Sequence, residues 1–188
     1  MTRLSPVLDA TDLPIAELWA ARLDGELFTL DDCFLPVDLP EGSLTRALAV
    51  SRQWPQRLIA EQRTAAWIWG VTDDPPRRHE LCASLGARAR PSNSRRVTVR
   101  EVVIDDDDIA TIGGVRVTTP LRSILDLTRF SQTFERSELT IVRALADMAA
   151  LGLDDVETAL DTRRNLPNKR RARERLRAAF SAPTDDVG

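Results

Sequence analysis

The sequence predicts an α+β protein, and three observations carry that reading. Helical periodicity dominates the last third of the chain, strand-like alternation fills the middle, and a short helix followed by a hairpin pattern opens it. At 188 residues the chain has room for one ordinary domain plus a small appendage. Hydrophobic residues make up 43% and charged residues 29%, a balance that supports a packed core rather than disorder. No apolar stretch nears the ~20 residues a bilayer span needs, and the first twelve residues lack the basic head and apolar core of a leader, so a cytoplasmic location is expected.

Pro14 suits the first turn of a helix, where its missing N–H would be unpaired anyway, and Ile15, Leu18 and Trp19 follow at helical spacing. Asp24-Gly25 ends that helix. Residues 26–37 read as two short strands around the acidic turn Asp31-Asp32, with Pro36 marking an edge. A helix and a hairpin are the back half of a winged helix. Too few residues precede them for the usual three helices, so residues 1–40 are expected to form a truncated winged-helix-like module.

Residues 41–188 are expected to form a mixed helix/antiparallel-sheet domain with a C-terminal helical bundle. Ser43 reads as the cap of a helix over 44–53, and a second helix over 60–69 ends at Gly70. Asp73-Asp74-Pro75-Pro76 is a turn, after which residues 79–84 and 95–104 have strand character. Gly113-Gly114 joins strands at 109–112 and 115–117 as a two-residue hairpin. Thr119-Pro120 then opens a helix, a hydroxyl cap followed by proline, with Leu121, Ile124, Leu125 and Thr128 on its apolar face. Three more helices fall near 137–151, 154–162 and 168–180. In the last, Ala172, Leu176, Ala179 and Phe180 form one stripe and the basic residues the other face. The tail from Ser181 is expected to fray.

Charge is unevenly placed. The net charge is −3, yet residues 1–45 carry nine acids against Arg3 and Arg22, a local balance of −7. Residues 163–178 carry eight cations against Glu174, a balance of +7, and residues 77–100 hold seven arginines, Arg88 and Arg90 among them, against Glu80. Such separation suggests surfaces that meet different partners.

Catalytic chemistry finds few candidates. His79 is the only histidine, and its charged neighbours Arg77, Arg78 and Glu80 place it at a solvent-facing strand entrance. The run Asp105-Asp106-Asp107-Asp108 reads as a solvated turn rather than a cation site. Cys33 and Cys82 have no partner at metal-ligand spacing and read as buried reduced thiols. Without a convergent acid, base and metal set, no catalytic, cofactor or metal residues are assigned, and the chain is read as not an enzyme. Arg122 stands four residues before Asp126, where a helix pairs them. The basic helix leaves three readings open: a solvated face, a nucleic-acid contact through Arg170, Arg171, Arg173 and Arg177, or a docking site for an acidic partner.

Three blocks taken in order, Leu44-Thr45-Arg46-Ala47-Leu48-Ala49, Arg63-Thr64-Ala65-Ala66-Trp67-Ile68-Trp69-Gly70, and Val115 to Leu127 with its phrase Val117-Thr118-Thr119-Pro120-Leu121-Arg122-Ser123-Ile124-Leu125-Asp126-Leu127, resemble the AbiEi family of antitoxins. The resemblance spans roughly residues 41–150, with an echo in 12–38. It implies an N-terminal winged helix that binds the operon's own promoter and a C-terminal domain that neutralises a nucleotidyltransferase-like toxin. The stretch matching the wing, Thr29 to Phe34, is acidic, which opposes contact with phosphates. The expected function is therefore that of an antitoxin acting by direct contact, with autorepression through DNA as the alternative. The expected toxin-binding residues are Trp19, Asp24, Glu26, Phe28, Asp31, Asp32 and Phe34, because opposed charge and aromatic anchors suit a cationic partner.

Overall fold

The computed structural model describes residues 5–85, 95–163 and 166–181. Arg3, Arg88, Arg90 and Arg164 and the tail beyond Ser181, where fraying is expected, lie outside the described residues. In chain order the elements are α1 (Ile15–Leu23), β1 (Leu27–Leu30), β2 (Cys33–Pro36), α2 (Ser43–Gln53), β3 (Ile59–Ala60), α3 (Gln62–Trp69), β4 (His79–Ser84), β5 (Val97–Val102), a 3-10 turn (Asp106–Asp108), β6 (Ile109–Ile112), β7 (Val115–Thr118), α4 (Pro120–Phe130), α5 (Arg136–Met148), α6 (Leu153–Thr162) and α7 (Lys169–Ser181). The α+β class holds.

The N-terminal helix and hairpin form where the residues predict them. Strands β1 and β2 pair antiparallel with Leu30 opposite Cys33, and Asp31 takes the left-handed turn conformation at φ 54°. Alternation splits the hairpin between two cores. Leu27 and Phe34 meet Leu18 of α1, whereas Leu30, Cys33 and Leu35 join Val7, Ala47, Val50, Trp67, Leu81 and Val97. One face of the module thus belongs to the main core.

The main sheet has the order β5-β4-β3-β7-β6. Pairs β3/β4 and β6/β7 are antiparallel, but β4/β5 and β3/β7 are parallel. The expected antiparallel sheet is therefore a mixed one. The two residues of β3 decide this: Ala60 pairs with Leu81 on one side and Val117 on the other. Helical spacing assigned Ala60 to the next helix, but sheet pairing on both sides outweighs alanine's weak preference. That helix begins only at Gln62. The parallel β4/β5 pair is reached through residues 85–96, a connection of the length that a crossover requires.

Caps and turns follow local chemistry with one correction. Ser43 is the first residue of α2 rather than its cap; Gly42 holds the cap position, and its N–H donates to Thr45 Oγ1 at 3.0 Å. Gly70 ends α3 at φ 89°. Gly113 and Gly114 have φ of 57° and 83°, the primed turn that matches hairpin twist. Leu44 of α2 closes over this turn so tightly that a Cβ at Gly113 would stand 2.5 Å from Leu44 Cδ1.

Helices α4 to α7 form the bundle. Thr119 Oγ1 accepts from Arg122 N at 3.4 Å and Pro120 follows, the cap-then-proline order read in the sequence. Ile124, Leu125, Leu127, Val142, Leu145, Val156, Leu160, Ala172, Leu176 and Ala179 bury one continuous core. Helix α3 joins the two layers. Its Ala66 faces the bundle, its Trp67 and Ile68 face the sheet core, and Trp69 touches both while donating from Nε1 to Thr118 O at 2.9 Å.

Candidate functional site

Where sheet and bundle meet, a buried network of arginines and carboxylates replaces apolar packing. Arg122 and Asp126 occupy successive turns of α4, and Arg122 Nε donates to Asp126 Oδ2 at 2.8 Å. The Arg122 fork also reaches Asp108 Oδ2 at 2.7 Å and Val103 O at 3.2 Å. Asp108, the last of the four acids, accepts in addition the two-pronged fork of Arg163. On the sheet side, Arg100 of β5 gives Glu61 two bonds of 2.6 Å and approaches Asp126 Oδ2 at 3.0 Å. Arg129, one turn beyond Asp126, donates to its Oδ1 at 3.3 Å and to Pro167 O at 3.1 Å. Glu61, Asp108 and Asp126 are all at most 2% exposed. Four arginines therefore enclose three carboxylates.

The electrostatics follow from that geometry. Burial opposes the ionised form of Asp108, yet bonds from Arg163 and Arg122 outweigh it and hold the carboxyl below its ordinary range. Burial, helped by Asp126, pushes Glu61 up against the two bonds from Arg100, while Arg100 itself is held charged. One expectation is corrected here: Asp108 is not part of a solvated turn, because two guanidiniums draw it inward. The Arg122–Asp126 pair forms as the helical spacing predicts, and it lies in the interior.

A second buried set ties the N-terminal module to the sheet. His79 is fully buried, not at a solvent-facing entrance as its charged neighbours suggest; strand alternation turns it inward. Its Nε2 lies 3.0 Å from Asp31 Oδ2 and its Nδ1 3.3 Å from Thr64 Oγ1. The order carboxylate, imidazole, hydroxyl has the sequence of a proton relay, but Thr64 is also fully buried, so the hydroxyl faces no substrate. Gln53 Nε2 and Arg96 complete the shell around Asp31. Burial acts against the Asp31 carboxylate, but His79, Gln53 and Arg96 together leave it below its ordinary range. Cys33 and Cys82 are free and buried, and burial pushes the Cys33 thiol up to about 12. Among the described residues no group of His, Cys, Asp or Glu side chains is placed to hold a metal ion. No described helix is long and apolar enough to cross a membrane.

The residues expected to bind a toxin divide between surface and interior. Trp19 is 46% exposed, edge-on to the Phe34 ring at 5.3 Å, and Asp24, Glu26 and Asp32 are exposed. Phe28 is half-buried, while Phe34 and the Asp31 carboxylate are inside. On the basic helix, Arg170 pairs with Glu174, Arg173 with Asp161 and Arg177 with Glu157, so much of that charge is met by neighbouring acids. Arg171 is exposed, and Arg175 turns inward to bond Thr128 O and Ser131 O.

The model for the AbiEi antitoxin C-terminal domain matches residues 58–182. The chain belongs to this family. The matched region runs from β3 to the end of α7, and so holds the whole arginine–carboxylate network. In this AbiEi domain the phrase from Val117 to Leu127 lays down the end of β7, the Thr119 cap and the first turns of α4, placing Arg122 and Asp126 at the layer junction. Thr118 Oγ1 and Ser123 Oγ, 2.7 Å apart, close the same corner. Composition gave no pointer to Glu61, Arg100, Arg129 or Arg163, because lone charges scattered over some hundred residues carry no spacing. No curated protein matches the sequence significantly. Among solved structures, the RV2827C protein from Mycobacterium tuberculosis is similar at 15% identity and a TM-score of 0.45, with 97% of this chain and 78% of that one covered.

Proposed function

We propose that this protein is the antitoxin of a two-gene system and neutralises a cognate nucleotidyltransferase-type toxin by direct contact through α1 and the hairpin turn. The observation that carries this reading is the packing of α1. Only Leu18 of that helix is buried, while Leu13, Ile15, Trp19 and Leu23 are 40%, 51%, 46% and 81% exposed. Ile15, Trp19 and Leu23 recur every four residues, so they share one exposed face beside buried Leu18. A stripe of this kind on a small module is an interaction surface.

Exposed Glu17, Asp24, Glu26 and Asp32 surround it. A toxin that handles nucleotides presents cations, and opposed charge speeds encounter while the tryptophan anchors. Phe34 and Asp31 act from within: the first backs the Trp19 ring, and the second holds the turn against His79. Phe28 lies between these two sets.

Titration calorimetry against the purified toxin tests the surface. Trp19→Ala with Leu23→Ser should weaken binding by at least about 2 kcal/mol, the size of an anchor residue. Asp24→Lys with Glu26→Lys should slow association and flatten its salt dependence. Wild-type affinity in both folded variants would move the interface elsewhere on the domain.

A further inference from the structure

The network opens on one side into a cleft of about 660 Å³, lined by Arg100, Arg122, Arg129, Arg163, Phe130 and Leu166, with the exposed Val103 at its mouth. Ligand sites commonly have this size. Three of its arginines are fixed from behind and keep an N–H edge that no group among the described residues takes. Arg129 uses Nε and Nη1 on Pro167 O and Asp126, leaving Nη2. Arg163 grips Asp108 through Nη1 and Nη2, leaving Nε, and Arg100 uses Nε and Nη2, leaving Nη1. Among the described residues the one buried side-chain N or O atom without a partner is Trp54 Nε1, so these edges are not sealed in the interior, and all three arginines line the cleft.

We infer that this cleft binds a phosphate monoester of nucleotide size, its phosphate on Arg100, Arg129 and Arg163 and its organic body against Val103, Leu166 and Pro167. Donors from β5, α4 and the segment after α6 approach from separate elements, which suits a tetrahedral oxyanion better than a planar carboxylate. Carboxylates already hold the guanidiniums in place, so little side-chain freedom is lost on binding. Burial, with the charges of Arg122, Arg100 and Arg163, lowers Arg129 against the pull of Asp126. Phe130, with Arg100 at 4.2 Å and Arg129 at 4.5 Å from its ring centroid, braces both donors. Glu101 and Asp105 stand exposed on the rim, where solvent screens them.

The test is calorimetry of the full chain with AMP, adenosine and inorganic phosphate. AMP should bind, more weakly as salt rises; adenosine should not, and phosphate alone should bind at least about tenfold more weakly than AMP. Arg129→Met should reduce AMP affinity at least about tenfold. Because Arg129 is buried and its loss could disturb folding, Val103→Glu provides an independent arm: it adds charge at an exposed rim position and should weaken AMP several-fold with an unchanged melting temperature. Glu101→Gln should strengthen it. Adenosine binding as well as AMP would overturn the phosphate assignment, and phosphate binding as well as AMP would overturn the assignment of the organic body. No binding of AMP at millimolar concentration, or AMP binding untouched by Val103→Glu, would overturn the site. None of these outcomes depends on toxin binding through α1.

Discussion

Asp126 is the residue on which most of the interior charge converges, since Arg122, Arg129 and Arg100 all reach its two oxygens. Removing one partner from a buried ion network leaves the others desolvated and unpaired, which costs about 3–5 kcal/mol. Asp126→Ala should therefore lower the unfolding free energy measured by urea denaturation by that much. Arg143→Ala, which breaks an exposed pair with Asp147 and a ring contact with Phe180, should change stability by no more than about 1–2 kcal/mol. Equal losses in the two variants would mean that the network contributes no more than a surface pair. Acid dependence follows from Asp31 and Asp108, both held below the unfolded carboxyl value of roughly 3.9. A depressed folded value stabilises above the unfolded value, and that stabilisation is lost as pH falls through the window between the two. The stability gap between wild type and Asp31→Asn should consequently narrow from neutral pH to about pH 3. A gap that stays constant would show that Asp31 acts through shape and not charge. At this scale the sequence was only partly legible. Arg122 and Asp126 were visible through helical spacing, but His79 and Asp108 were misplaced, because local polarity suggests solvent and only distant arginines and the sheet register bring them inside.

Elements were read more surely than residues, since periodicity and caps are local. Helix α7 illustrates both the success and its reason: Ala172, Leu176 and Ala179 are buried as the stripe predicts, and the arginines other than Arg175 lie on the outer faces. Leu176→Ala should cost about 2–5 kcal/mol by opening a cavity in the bundle. Arg170→Glu, Arg173→Glu and Arg177→Glu together break three exposed pairs and set glutamates against Glu174, Asp161 and Glu157. Their combined cost should remain near ~1–2 kcal/mol, because exposed pairs contribute little singly. Thermal melts of the two variants compare these directly, and a triple variant less stable than Leu176→Ala would place those arginines in the interior. The element that escaped reading was β3. Two residues carry no period, and Ile59-Ala60 becomes a strand only because β4 and β7 pair with it from both sides.

At the scale of the molecule, the question is whether residues 58–182, the extent of the family match, can fold without what precedes them. Several contacts argue that they cannot. The sheet core draws Val7, Leu30, Cys33, Leu35, Ala47, Ala49 and Val50 from outside that span, all of them at most 3% exposed. Arg46 of α2 donates to Trp67 O at 2.8 Å and to Thr72 O at 2.7 Å, satisfying the end of α3 and the loop beyond it. Asp31 supplies the carboxylate against buried His79. A fragment beginning at residue 58 would expose one side of Trp67, Leu81 and Val97 and leave His79 without its partner. Losing seven buried apolar side chains, each contributing about 1–3 kcal/mol when fully buried, removes as much as the whole stability of a typical domain. The bundle core, by contrast, lies entirely within the fragment. The expected product is a species that retains helical far-UV circular dichroism, binds a hydrophobic dye and lacks a cooperative melt, whereas the intact chain unfolds in a single transition. A fragment that melts cooperatively near the temperature of the intact protein would show that the family domain is self-sufficient and that the N-terminal module is only docked upon it.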